Sequence, residues 1–142
     1  MADNKVEQFL IDLKYSYHEV KPNLWLLDDT EHDLEGIAVM YTDPLVIIQV
    51  QVMDVPKQKR EEFFAKLLEL NASDMIHGAY GLEGDKIVII ESLEYATMDY
   101  TEFQAALDAI SLAINQHFPI LSVYRESSDQ KPAASGSPSG KK

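Results

Sequence analysis

Residues 67–96 read LLELNASDMIHGAYGLEGDKIVIIESLEYA, and they carry the clearest secondary-structure signals in the chain. Its first five residues have the composition of a helix end. A short strand follows, and a Glu-Gly-Asp turn at residues 83–85 leads into an apolar strand that starts at Ile87. β-Branched residues favour strands, whereas glycine and aspartate tolerate the positive φ of tight turns. The stretch therefore predicts a helix that runs into a β-hairpin.

Two features of this hairpin predict its surroundings. The second strand is apolar on both faces at its start, which is typical of a strand in the interior of a sheet. The first strand contains Gly78 and Gly81, and glycine inside a strand usually marks a bulge or a close approach of two backbones. We therefore expect another element to pass close to the hairpin at these glycines.

The rest of the chain adds two helices and three strands. Apolar residues recur at helical spacing over residues 4–19, and Asp99 with Glu102 forms a capping box that opens the last helix. The predicted elements are, in order, a helix over residues 4–19, strands over residues 24–27, 37–42 and 45–53, a second helix after Pro56, the hairpin, and a third helix from residue 99 to about residue 118. The order α-β-β-β-α-β-β-α predicts an α+β fold whose antiparallel sheet carries helices mainly on one face.

Composition indicates a single domain and excludes several functions. The 142 residues suffice for one core, which we expect within residues 1–125, whereas residues 126–142 are rich in Ser, Pro, Gly and Lys and are predicted to be a disordered tail. The absence of cysteine excludes disulfides and thiolate ligands. A formal net charge of -12 disfavours nucleic acid as a partner, and no apolar run is long enough to span a membrane. The sequence therefore predicts a cytoplasmic protein with neither kind of partner.

No residue pattern indicates catalysis, a metal or another cofactor. The acidic connector at residues 28–35 is the best candidate for a metal site, but a calcium loop would need glycine where Leu34 stands and an acidic residue where Met40 stands. An exposed loop is the alternative that this spacing favours. The histidines lie far apart and in no ligand or triad motif: His18, His32, His77 and His117. We therefore predict neither a catalytic residue nor a cofactor.

Three segments carry a resemblance to a known family: residues 67–71, residues 78–85 and the apolar strand from Ile87. In these segments the chain resembles the class I type III secretion chaperones (the Tir chaperone family) and the related YbjN family of bacterial proteins. The resemblance extends from residue 4 to about residue 118. It implies a small, acidic, usually dimeric protein that binds an extended segment of a client through apolar patches and strand edges. The tail from Glu126 is not part of the shared pattern.

A surplus of large apolar residues predicts surfaces that bind other chains. Either a helix covers these residues within one molecule, or some of them are reserved for a partner. The predicted partner-binding residues lie on the first helix, on the first strand and on the mixed polar and apolar face of strand 45–53: Phe9, Leu10, Leu13, Trp25, Ile47 and Met53. For a dimer interface, chiefly because of the resemblance, we expect residues of the second helix and the hairpin: Phe63, Leu67, Tyr80 and Ile89.

The sequence thus predicts a non-enzymatic, chaperone-like or adaptor-like homodimer that binds an extended segment of a client protein. A regulatory protein of the YbjN type, unrelated to secretion, is the main alternative. A metal-dependent protein or enzyme that uses residues 28–35 and a histidine is the third hypothesis.

Overall fold

The described part of the chain folds into one six-stranded sheet and three α-helices. The computed structural model describes residues 4–29 and 34–125, without the side chain of Glu35. The strand order is β1-β2-β3-β4-β6-β5, and every neighbouring pair is antiparallel. The elements are α1 (Lys5–Leu13), β1 (Ser16–Lys21), β2 (Leu24–Asp29), β3 (Leu34–Thr42), β4 (Leu45–Asp54), α2 (Arg60–Ser73), β5 (Ala79–Glu83), β6 (Lys86–Glu94), α3 (Tyr100–Leu121) and a final 3₁₀ turn (Ser122–Tyr124).

All three helices lie against the same face of the sheet. One hydrophobic core joins Leu10 of α1, Phe63 of α2 and Phe103 of α3 to alternate residues of the strands. The strand residues in this core share one face through their cross-strand pairing, as Trp25 does with Val39. The predicted α+β class is confirmed, and the elements that it named occur in their predicted order.

The structure adds one strand to that order. The first helix ends at Leu13 because Lys14 adopts the left-handed conformation, with φ of 65°, and its N–H closes the last helical turn. Residues Ser16–Lys21 then form β1, which pairs with β2 at the edge of the sheet. Tyr17 fits the apolar spacing of a helix, but it also fits the alternation of a strand. The prediction of a helix over residues 4–19 is therefore wrong beyond residue 13.

A bulge in β4 changes which face Met53 occupies. The pairing of β4 with β6 shifts between Gln51 and Met53, so that Met53 pairs with Ile87. Both of these side chains are buried in the core at 1 % exposure. Strict alternation had placed Met53 on the mixed face with Ile47, and that prediction is wrong because the extra residue of a bulge reverses the alternation.

The predicted hairpin is confirmed as β5 and β6. Glu83 pairs with Lys86, which leaves Gly84 and Asp85 as a two-residue turn. Gly78, just before β5, has a φ of +82°, and a Cβ added there would lie 3.0 Å from the carbonyl oxygen of Ile90. A close approach of two backbones therefore occurs at Gly78, but the neighbouring backbone is that of β6, the second strand of the hairpin, and not that of another element as predicted.

The helix boundaries agree with the sequence prediction at the start of α3 and lie two or three residues beyond the expected ends of α2 and α3. The capping box of Asp99 and Glu102 opens α3 as predicted. Pro119 does not end α3, which continues to Leu121, and α2 continues past Asn71 to Ser73. None of the described helices is long and apolar enough to cross a lipid bilayer.

We expect Gly78→Ala to destabilise the fold by about 1 to 3 kcal/mol, because a side chain at this positive φ is strained and crowds the β6 backbone. Gly81→Ala is the matched control, since the nearest atom to its added Cβ is a Val88 methyl carbon 3.8 Å away. Urea unfolding of both variants measures the difference. Equal stability of the two variants would contradict this account of the hairpin.

Candidate protein-binding surface

The second face of the sheet is not covered by any helix in the described part of the chain, and we call it the open face. Cross-strand pairing places most of the apolar residues there in two rows. We define the apolar strip as these six residues, first row and then second: Leu24, Met40 and Ile47, then Leu26, Ala38 and Ile90. Leu45 lies beyond the first row on β4, and Gln49 separates Ala38 from Ile90 in the second row. None of the six belongs to the hydrophobic core that the helices cover. The strip is therefore a separate apolar surface.

The apolar strip is accessible to another molecule. Met40 is 37 % exposed and Ile90 is 41 % exposed. Leu24, Leu26 and Ile47 are half-buried by their neighbours on the same face. The strip lies on β2, β3, β4 and β6, each of which has a paired strand on both sides. Its side chains are thus held in place by interior strands while their ends remain open to solvent.

Polar side chains border the apolar strip at one end of β4 and β6. The Lys86 Nζ donates to Asp54 Oδ1 at 2.6 Å, and the Gln49 Nε2 donates to Glu83 Oε1 at 2.8 Å. The bond between Gln49 and Glu83 joins β4 to β5 and passes over Val88 of β6. Val88 is therefore buried although it lies on the open face. This end of the face is covered by its own side chains, whereas the strip is not.

The sheet also has two edges. In the described part of the chain β1 pairs only with β2, and β5 pairs only with β6. Every residue of β1 except Tyr17 is exposed. Beside β5, three large apolar residues are exposed on α2, on β5 or between them: Leu68 at 67 %, Ile76 at 87 % and Leu82 at 58 %. The β1 edge therefore offers backbone groups to an added strand, whereas the Asn71 side chain bonds the Tyr80 backbone of β5 and leaves mainly apolar side chains at that edge.

Residues 2–127 match the family model CesT_Tir_1. The chain belongs to the CesT_Tir_1 family. No curated protein matches the chain.

Two solved structures are similar to this CesT_Tir_1 chain in fold. One is YbjN from E. coli, described as a putative transcription regulator, with 20% identity and a TM-score of 0.61 over 82% of this chain and 90% of that one. The other is a chain of the heterodimeric ExoU–SpcU complex from the type III secretion system of Pseudomonas aeruginosa. It has 12% identity and a TM-score of 0.68 over 83% of this chain and 98% of that one.

The residues predicted to bind partners are divided between the core and the surface. Ile47 lies in the apolar strip, as its predicted role requires. Phe9 and Leu13 are half-buried against the core, where the Phe9 ring contacts those of Tyr100 and Phe103 at 5.8 Å. The remaining predicted residues are buried in the core of the single chain: Leu10, Trp25, Met53, Phe63, Leu67, Tyr80 and Ile89. Burial favours a packing role for these seven, and we do not include them in the surfaces proposed below.

Sequence reasoning missed most of the accessible apolar residues. Met40 and Ile90 join Ile47 only through the pairing of β3 with β4 and of β4 with β6. The sequence did contain one signal for Met40. Successive residues of a strand point to opposite faces, so Met40 lies on the face opposite to the buried Val39. Leu68 likewise stands next to the buried Leu67, so one step along α2 separates a core residue from a surface residue.

A buried chain of hydrogen bonds links α2, β5 and α3 in this CesT_Tir_1 domain. The Tyr80 hydroxyl lies 2.7 Å from His117 Nδ1, and His117 Nε2 lies 3.2 Å from Asp74 Oδ2. Burial, with the nearby charge of Asp74 as a second cause, raises the pKa of Tyr80. The phenol therefore stays protonated, and because a carboxylate only accepts, His117 donates to Asp74 through Nε2.

The same cluster fixes the backbone of β5. The Asn71 Oδ1 accepts the N–H of Tyr80 at 2.8 Å, and the Asn71 amide donates to the Tyr80 carbonyl at 3.3 Å. Because His117 is only 2 % exposed, it has no route to an external substrate in this conformation. The chemistry of the cluster is therefore the positioning of an edge strand against two helices.

In the described residues, 4–29 and 34–125, no three histidine or acidic side chains come together as metal ligands. Residues 30–33 of the acidic connector, with His32, lie outside the described residues. The metal hypothesis for the connector stays a prediction that only metal analysis of the protein tests. The predicted disordered tail, residues 126–142, also lies outside them.

We expect Tyr80→Phe to cost about 1 to 3 kcal/mol of stability, because it leaves the buried Nδ1 of His117 without its hydrogen-bond partner. Tyr124→Phe is the control, since its hydroxyl donates to Glu62 Oε2 at an exposed site, and its loss should cost below about 0.5 kcal/mol. Chemical unfolding of both variants provides the comparison. A Tyr80→Phe protein as stable as Tyr124→Phe would rule out a stabilising role for the chain.

Proposed function

We propose that this CesT_Tir_1 chain is a non-enzymatic, chaperone-like module that binds a client protein in the bacterial cytoplasm. Membership of the family supports this role, and so does the similarity in fold to a chain of the heterodimeric ExoU–SpcU complex. The single observation that carries the proposal is the exposed apolar strip, in which Met40 and Ile90 are the most exposed large side chains. Covering such surface is favourable by about 25 cal/mol for each Å² removed from water.

The edge strand β1 supports binding of an extended segment of the client. A strand at a sheet edge has N–H and C=O groups on one side without a partner, and an added strand satisfies them. β1 is exposed along nearly its whole length and carries His18 and Lys21 among its residues. We assign the extended part of the client to this edge.

The opposite edge supports a homodimer. Leu68, Ile76 and Leu82 lie on or between α2 and β5, the elements from which the sequence predicted a dimer interface. The predicted residues Phe63, Leu67, Tyr80 and Ile89 lie on α2, β5 and β6 but face inward. Two copies related by a two-fold axis would bury their exposed neighbours against one another.

A regulatory protein is the second candidate, since the chain is similar to a YbjN structure described as a putative transcription regulator. A formal net charge of -12 opposes direct contact with DNA, so such regulation would act through a protein partner. The two candidates therefore share the binding surface and differ in the identity of the bound protein.

Photo-crosslinking in host cells tests client binding. A crosslinking amino acid in place of Met40 should capture one specific protein, which mass spectrometry identifies, because Met40 is an exposed side chain of the apolar strip. The control places the same amino acid at Leu112, an exposed apolar residue of α3 that lies outside the strip. The same capture at both positions, or none at Met40, would count against the proposal. A secretion effector would support the chaperone role, and a regulator would support the second candidate.

Sedimentation equilibrium tests the homodimer. Leu68→Glu with Leu82→Glu should weaken self-association at least about tenfold, because each adds a buried charge to the interface. Leu112→Glu is the matched control, since Leu112 is comparably exposed but lies on α3. A wild-type protein that remains monomeric at all concentrations would contradict the homodimer and leave client binding to be judged by crosslinking.

A further inference from the structure

We infer that the apolar strip binds a single amphipathic α-helix of the client, and that the polar side of this helix is basic. The inference rests on the proposed function and adds the conformation and charge of the bound segment. It separates two modes of binding on one molecule. The edge strand takes an extended segment, and the open face takes a helix.

The backbone of the sheet is the first reason. The strip lies on β2, β3, β4 and β6, and each of these strands is already paired on both sides. The open face therefore offers side chains but no free backbone donors or acceptors to a bound segment. A segment that lies on it must satisfy its own N–H and C=O groups, which an α-helix does within itself and a lone extended chain does not.

The dimensions of the strip are the second reason. From β2 to β6 the strip crosses three strand spacings, about 14 Å, and its two rows are two residues apart along each strand, about 7 Å. An α-helix is about 10 Å wide, and about 14 residues of it extend for about 21 Å. One helix of three to four turns thus covers both rows over their full length.

The charged residues around the strip indicate which charge the polar side of the bound helix carries. Among the described residues, Asp28, Glu83 and Glu94 lie on the open face around the strip, with Lys21 as the opposing charge. Lys86 is paired with Asp54. The border of the strip is therefore negative, in keeping with the formal net charge of -12. Basic residues that flank the apolar side of a helix would lie against this border.

The same observations disfavour two other occupants. A second copy of the chain would bring an equally acidic border against the first, which opposes face-to-face association. Residues 126–142 of the chain contain only alanine and proline as apolar residues, so this segment cannot form the apolar side of a helix.

Fluorescence anisotropy with three synthetic peptides tests the inference. The first peptide has leucine and lysine at helical spacing, the second has the same composition in strict alternation, and the third has the helical pattern with glutamate in place of lysine. We expect the helical leucine–lysine peptide to bind at least about tenfold more tightly than either of the others. Equal binding by the alternating peptide would overturn the helical occupant, and equal binding by the glutamate peptide would overturn its basic character.

Variants of the chain locate the binding site. Met40→Gln with Ile90→Thr should weaken binding of the helical leucine–lysine peptide at least about tenfold, because both side chains lie in the apolar strip. Leu112→Gln with Val123→Thr is the matched control, because it removes two exposed apolar side chains outside the strip and should leave affinity unchanged. Circular dichroism confirms that both double variants are folded. Unchanged affinity in the folded strip variant would place the helix elsewhere and overturn the inference.

Crosslinking separates this inference from the proposed function. A specific client captured at Met40, together with failure of the helical peptide to bind, would preserve client binding and overturn the helical occupant. Binding of the helical peptide to the strip without any client captured in the host would support the inference about the surface and count against the chaperone role.

Discussion

Burial of one sheet face beneath three helices determines how this small domain is organised. Residues from α1, α2 and α3 pack in one core with alternate residues of the strands, and the largest buried side chains, Trp25, Phe63 and Phe103, all lie in this core. Fully burying a large apolar side chain contributes about 1.5 to 3 kcal/mol. Because all three helices lie on that face, the other face keeps the apolar residues that its strands carry. The asymmetry of the fold therefore creates the candidate binding surface.

The open face and the two edges suit different kinds of contact. A sheet face is recognised through side chains, whereas an edge is recognised through backbone hydrogen bonds. In this chain the face carries the apolar strip, the β1 edge is polar and exposed, and the β5 edge carries Leu68, Ile76 and Leu82 nearby. The buried bonds from Asn71 and His117 to Tyr80 hold that second edge in place. One small domain can thus contact a client and a second copy at separate sites.

The sequence was sufficient for features that depend on local patterns, such as the hairpin turn and the capping box of α3. The sequence was insufficient where a local backbone conformation ends a helix early or reverses the alternation of residues along a strand. The left-handed Lys14 ends α1 early and turns the next residues into a strand, and the bulge before Met53 sends that side chain into the core. The candidate surface was harder to predict, because Met40, Ile47 and Ile90 lie on three different strands. Strand pairing brings them together, and the alternation of residues within one strand does not reveal that pairing.

Exposed apolar side chains and two sheet edges on one small molecule also create a risk of aggregation when no partner is present. The formal net charge of -12 opposes it, since every molecule repels its neighbours before their uncovered surfaces touch. Salt shortens the range of that repulsion from about 10 Å at 0.1 M to about 3 Å at 1 M. The acidity of the chain therefore serves as a colloidal protection for its uncovered sheet, one that dilute buffers preserve and concentrated salt removes.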